Sequence, residues 1–280
     1  MRLINQSVDI LKQPTDIISV YKLVELAARI CYKSEDKITE GSYKKIIDML
    51  NAKNHQSPFE HGTIYLTTGD VNCGKKYMAN PFSKVKYVNT FYITTNLRVI
   101  KENGWEEDLK YLCEPTEYHN KRVSVHIITS IGISRELNRH RCHSICEEST
   151  RYCNYSKDKF DNQVTFVIPS WCRSLIEGSE QKYSPFEING DEVEFMNALK
   201  NAQDYYLSLL KMGWTPQQAR SVLPLDTKTE LIHTAFEDDW KEFFKLRCSS
   251  AAHPMMQELA KLIRSKFIFF NYLHEEDYNM

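Results

Sequence analysis

An α+β fold is predicted by three features of this 280-residue sequence. Runs rich in β-branched and aromatic residues mix with amphipathic stretches at helical spacing, without the strand–helix alternation of a parallel α/β sheet. Composition is that of a globular chain, 42% apolar and 26% charged, enough to bury a substantial core. No repeat, low-complexity tract or linker divides the sequence. These features predict a single domain over 1–280, a mixed or antiparallel sheet with helices packed on it.

Asp16 to Lys33 places Ile18, Val20, Leu23, Leu26, Ala27 and Ile30 at helical spacing. A second helix starts near Gly41–Ser42 and carries Ile46, Ile47 and Leu50. Ser57-Pro58-Phe59-Glu60-His61 then leads into a strand over Thr63 to Thr68. Gly69 to Pro81 reads as loop, and Val88 to Ile100 as an extended segment passing into a helix. Trp105 to Arg122 is polar and patternless, the mark of an insertion or lid. Val123 to Leu137 is compatible with a helix presenting Arg135 and Arg139 at i, i+4, or with a strand over Val125 to Ile133. A short strand covers Val164 to Pro169, and a helix Glu192 to Lys211. Thr215-Pro216-x-Gln218 supplies an N-cap, a proline at N1 and a capping-box glutamine for another helix. Thr227 to Phe236 reads as strand, Asp238 to Leu246 as helix and Pro254 to Phe270 as the closing helix.

Several function classes are disfavoured by composition. The net charge of −1 provides no bulk basic field for nucleic acid or an anionic membrane. No apolar run approaches the roughly 18 residues of a membrane span. Met1 to Ile10 lacks the apolar core of a leader peptide, and the eight cysteines form no C-x-x-C pair. Reduced thiols and a cytoplasmic location are expected.

Against that neutral background, Arg135 to Tyr152 stands out. It holds Arg135, Arg139, Arg141 and Arg151, four of the chain's twelve arginines, and no lysine. A solvated basic face would show the chain's general preference for lysine. Arginine is instead the residue of bidentate phosphate and carboxylate recognition. Glu147, Glu148, Ser149 and Tyr152 add acceptors and hydroxyls, so the window reads as a site for a polar anion. The bland alternative is a solvated face with ion pairs to Glu136, Glu147 and Glu148. Arg220 and Arg247 end two further predicted helices, where the dipole alone could explain them.

Two rival chemistries have partial support in the sequence. Gly69 to Lys76 resembles a phosphate-binding loop, but Lys76 stands where a Mg²⁺-holding hydroxyl belongs, and Pro81 leaves little room for the following helix. His140, Cys142, His143, Cys146 and Cys153 invite zinc, yet no second ligand cluster matches them, and no metal is expected. A zinc- or P-loop-based nucleotide- or nucleic-acid-binding protein is the alternative class.

With these segments assembled, the chain resembles the flavin-dependent thymidylate synthases. Their R-H-R, seven residues, Ser signature is met by Arg139-His140-Arg141 and Ser149, and its extension by Glu147, Arg151 and Tyr152. Ser57 to His61, Ala219 to Pro224 and Leu246–Arg247 follow the family's remaining segments in order. The resemblance implies the family's α+β fold and synthesis of dTMP from dUMP. Methylenetetrahydrofolate would donate the carbon, with FAD and NAD(P)H as reductant, in a homotetramer with shared sites. It further implies that Glu136, Arg139, Glu147, Glu148, Ser149, Arg151, Arg220 and Arg247 bind dUMP, Arg247 being catalytic. His61, Thr63, Arg139, His140, Arg141, Glu147 and Glu242 would contact FAD. The sequence departs from the family at Glu136, often Gln, whose charge Arg135 or Arg139 could offset. It departs again at Phe236 to Asp238, in place of Asn-x-Arg, and at Glu242, in place of Asn. Residues 70–122 read as a family-variable insertion.

Overall fold

The computed structural model describes residues 1–172 and 190–273. Its frame is an antiparallel sheet in the order β2 (Ser7–Ile10), β6 (Arg122–Ser130), β9 (Lys228–Phe236) and β7 (Ser144–Glu147). Strands β6 and β9 are buried along nearly their whole length, as central strands covered on both faces, β6 being the richer in β-branched residues. A second antiparallel sheet orders β3 (Thr63–Thr68), β5 (Phe91–Asn96) and β4 (Lys84–Tyr87). A parallel pair joins β1 (Arg2–Ile4) to β8 (Thr165–Val167), so the strand pairing is mixed overall.

Helix α1 (Ile17–Tyr32) begins at Asp16, whose side chain accepts from the Ile18 and Ser19 amides, and ends at Lys33 in the left-handed region. Helices α2 (Tyr43–Ala52), α3 (Val71–Met78) and α4 (Leu97–Asn103) accompany the second sheet. α5 (Ile131–Leu137) follows β6 directly, and α6 (Gly190–Lys211) precedes the short α7 (Pro216–Ala219). α8 (Glu237–Arg247) and α9 (Pro254–Phe269) pack Trp240, Phe243, Phe244 and Phe267 against the first sheet's Val123, Val125 and Leu231. Among the described residues no helix is long and apolar enough to cross a membrane.

Most predicted elements recur within a residue or two, and the exceptions have physical causes. Gly69 to Pro81 contains a helix, capped by Asp70 accepting from Asn72 and Cys73. Gly74 lies inside it against Phe91, so the would-be phosphate loop is helical and the P-loop reading falls. Val123 to Leu137 splits into strand then helix, with Ser130 as N-cap. Arg139 therefore lies beyond the helix that carries Arg135, and the i, i+4 pairing is lost. Strand β7, inside the arginine window, and strands β1 and β2 are too short for periodicity to reveal.

Gly74 offers a test of this packing. A Cβ there would stand 2.4 Å from the Phe91 ring. Gly74→Ala gains helix propensity of ~1 kcal/mol, yet overpacking costs ~1–3 kcal/mol, so net destabilisation is expected. Urea unfolding checks it: a higher midpoint would show that Phe91 yields freely.

Candidate active site

Arg247 is the last residue of α8, and it turns back into the protein. Its Nε donates to His140 Nε2 at 2.9 Å, one terminal nitrogen to the Glu136 carboxylate at 2.9 Å, and the other to the Glu136 carbonyl at 3.0 Å. The offset for Glu136 thus comes from Arg247, not from Arg135 or Arg139. Because His140 accepts at Nε2, its ring is neutral with the proton on Nδ1. Burial, reinforced by Arg247 and Arg139, pushes His140 down to about 4.

Behind His140 runs a line of imidazoles. Its ring lies 5.6 Å from that of His143, whose Nδ1 stands 3.3 Å from His233 Nδ1. His61 is fully buried, with Nδ1 2.8 Å from Thr234 Oγ1, and Thr234 also bonds Ser124. Burial, then the Arg122 charge, pushes His61 down to about 3. Burial and His140 do the same to His143, also to about 3. His233 is held well below the ordinary range by burial and His143. Gly62 makes the placement of His61 possible, since a Cβ there would meet Val20 at 2.9 Å and Val24 at 3.0 Å.

The remainder of the arginine window runs on from β7. Glu147 accepts from Asn138 Nδ2 at 3.1 Å and Thr229 Oγ1 at 3.0 Å, which ties the α5 end to the sheet. The Ser149 amide donates to the Cys31 carbonyl at 3.0 Å, and Ser149 Oγ accepts from the Arg151 amide at 3.3 Å. Arg220 reaches the same loop, donating to Thr150 Oγ1 at 2.9 Å. Arg151 is exposed, its guanidinium 5.5 Å from the Tyr152 ring centre. Arg139 is exposed beside the Glu136–Arg247 cluster, its amide donating to the Glu136 carbonyl.

Two predicted ligand residues are placed elsewhere. Glu148 is buried and turned inward, 2.7 Å from Lys228 and accepting from Tyr155. Lys228 also pairs with Glu230, which pairs in turn with Lys33 at 2.8 Å and His126 at 3.2 Å. Burial raises Glu230, but these partners outweigh it and hold the carboxylate well below its usual range. Glu242 is exposed on α8, the helix that ends in Arg247, and paired with Lys245.

Thr63, Arg141 and the buried Arg122 meet on another side. Arg122 donates to the Glu60 carbonyl at 2.9 Å, Thr63 Oγ1 at 3.3 Å and Ser144 Oγ at 3.0 Å. With Arg141, His143, Ser144 and Phe236 it lines a cavity of about 340 Å³ closed opposite by Phe82, Lys84 and Arg98. Sequence reasoning missed Arg122, His233 and Thr234, and met His143 only as a zinc candidate. The strand reading of Thr227 to Phe236 covered His233 and Thr234 without marking them, and no sequence signal distinguishes a buried arginine at a strand start. Among the described residues no three or more His, Cys, Asp or Glu side chains converge as a metal set.

An α+β protein whose arginines and histidines converge from separate segments is of the kind that handles anionic ligands. The family model "Thymidylate synthase complementing protein" matches residues 117–268, more than half of the chain. The chain belongs to that family, the flavin-dependent thymidylate synthases. The flavin-dependent thymidylate synthase of Aquifex aeolicus is 23% identical over 294 residues, covering 85% of this chain and 90% of its own. That of Thermosipho melanesiensis is 27% identical over 172 residues, covering 56% and 72%. The solved UMP/dUMP methylase PolB of Streptomyces cacaoi aligns over 96% of this chain and 93% of its own. At 21% identity and a TM-score of 0.44 that likeness is too distant to bear on this chain.

The imidazoles predict a pH response. Their folded pKa values lie below the unfolded value of about 6.5, so the unfolded chain binds more protons in acid. Their contribution is complete above about pH 6.5 and is lost as pH falls toward 4. Tm is expected to drop by several degrees from about pH 7 to about pH 5. A flat Tm across that window would contradict the buried neutral assignment.

Proposed function

We propose that this enzyme makes dTMP from dUMP, with methylenetetrahydrofolate as carbon donor and FAD and NAD(P)H as reductant. The observation that carries the reading is Arg247, held rigidly by Glu136 and His140 at the edge of the arginine window. A guanidinium already fixed by hydrogen bonds to Glu136 and His140 costs little reorganisation when a ligand arrives. Set against a uracil edge, it favours the N3-deprotonated ring and so polarises C5 and C6.

Ser149, Arg151 and Arg220 take the nucleotide phosphate, since they meet on one loop and two of them are cationic. Glu136, Arg139 and Glu147 complete the dUMP site. Glu148 serves it indirectly, by anchoring the loop through Lys228. His61, Thr63, Arg139, His140, Arg141 and Glu147 face the flavin, and Glu242, on α8 and solvent-exposed as Arg139 and Arg141 are, is an outer contact to it. Support for a planar, anionic cofactor comes from the cavity lining, which holds two aromatic side chains, Phe82 and Phe236, and three guanidinium groups, Arg98, Arg122 and Arg141. Bound FAD would supply the hydride chemistry, while the protein supplies orientation and charge. The active assembly is a homotetramer with sites shared between subunits, working in the cytoplasm.

The zinc and P-loop alternatives receive no support from the described residues, where no metal set converges and Gly69 to Lys76 runs into a helix. The purified or FAD-reconstituted protein is expected to show the visible absorbance of oxidised flavin. Arg247→Ala should lower kcat about 100-fold or more while leaving a folded flavoprotein. Near-normal turnover would remove Arg247 from the chemistry. Ser149→Ala should raise the dUMP KM about tenfold with kcat nearly intact. Loss of all activity at saturating dUMP would instead assign Ser149 a chemical role.

A further inference from the structure

Arg122 begins β6 and is 4% exposed, yet its buried guanidinium is held by three neutral oxygens. No carboxylate among the described residues lies within ion-pair distance of it. The nearby Glu60 carboxylate goes to Arg98 at 2.5 Å, and only the Glu60 carbonyl is given to Arg122. One guanidinium nitrogen, Nε, has no hydrogen-bond partner among the described residues. The cation also lies 5.5 Å from the centre of the Phe236 ring. Burial pushes its pKa down only to about 10, so it stays charged at neutral pH.

An unpaired buried charge is costly, and an apolar side chain of similar length would fill the same space more cheaply. The three bonds show what the charge accomplishes. Two go to the Glu60–Thr63 stretch, which carries His61. The third goes to Ser144, at the start of β7 and three residues beyond Arg141. The cavity lies against this junction, with Glu60, Arg122, Arg141 and Ser144 all in its lining.

We propose that Arg122 is a positioning residue for the reaction, holding the His61–Thr63 segment and the Arg141–Ser144 segment in fixed relation around the flavin end of the site. The inference rests on the functional reading above for the identity of the ligand. It predicts a specific asymmetry: Arg122 serves flavin binding and leaves the dUMP end untouched, because Ser149, Arg151 and Arg220 share no bond with it. A merely structural role would weaken both ends alike.

The test compares Arg122→Met, Arg122→Lys and Ser144→Ala with the wild type. FAD affinity is read from flavin fluorescence on titrating apoprotein, dUMP affinity by calorimetry, and Tm alongside. Arg122→Met should keep a Tm close to the wild-type value and unchanged dUMP affinity, while FAD affinity falls about tenfold or more, in the range usual for outer-shell partners. Arg122→Lys should recover part of that loss, since an ammonium can donate to the same oxygens but lacks the planar fork. Ser144→Ala removes one arm alone and should weaken FAD several-fold at constant Tm, which decides the matter even where Arg122→Met does not fold. The proposal is overturned if Ser144→Ala binds FAD as the wild type does, or if folded Arg122→Met loses FAD and dUMP affinity in parallel. A wild type that binds no FAD would overturn the functional reading itself; loss confined to the variants cannot be confused with that result.

Discussion

Nine consecutive residue pairs, from Arg122 opposite Phe236 to Ser130 opposite Lys228, lock β6 to β9. Each segment of the candidate site leaves from this ladder or packs on it. β6 runs directly into α5 and so into Glu136 and the R-H-R turn, while β9 runs directly into α8 and so to Arg247. The strands are antiparallel, so α5 and α8 leave this pair at opposite ends, and Arg247, at the far end of α8, meets Glu136 and His140 from more than a hundred residues away in the chain. A one-residue slip of the register would exchange the faces of every side chain on the strand. It would also part His233 from His143 and Thr234 from His61.

Burial gives that ladder an unusual polar content. Ser124, His233 and Thr234 are fully buried, as is His61 against them. Such groups are tolerated when hydrogen-bonded and when their rings stay neutral. Their bonds run along a defined path, His61 to Thr234 to Ser124, and His143 to His233. Uniqueness follows from this: apolar side chains could slide, but paired donors and acceptors fit in one arrangement.

The sequence carried the elements with long periodicity and the residues with unusual composition. α1 and the closing helix are visible because their apolar faces recur over several turns. The arginine window is visible because arginine replaces the lysine that the chain otherwise prefers. Arg122 was not visible, since a cation at a strand start looks like any exposed end until the SPFEH stretch folds over it. Glu148 misled for the complementary reason. Its neighbours Glu147 and Ser149 share its motif, but strand alternation turns it inward to Lys228, a partner eighty positions away. Helix α3 was hidden behind Gly69 and Gly74, of which Gly74 serves close packing against Phe91 and not a turn.

The internal pairing of Glu148 and Glu230 with Lys228 and Lys33 has a further consequence, for association kinetics. Two carboxylates lie immediately behind the Ser149–Arg151 loop, and unpaired they would repel a phosphate dianion. Because two ammonium groups balance them within the protein, the field outside the loop is left to Arg139, Arg151 and Arg220, all solvent-exposed. A chain with almost no net charge thus keeps a locally basic surface at the loop proposed to take the phosphate. Dissolved salt screens those outer charges within about 10 Å at moderate ionic strength, while the buried pairs feel it far less. On the proposed role of this loop, capture of a dianionic ligand would therefore slow with added salt while the loop kept its shape.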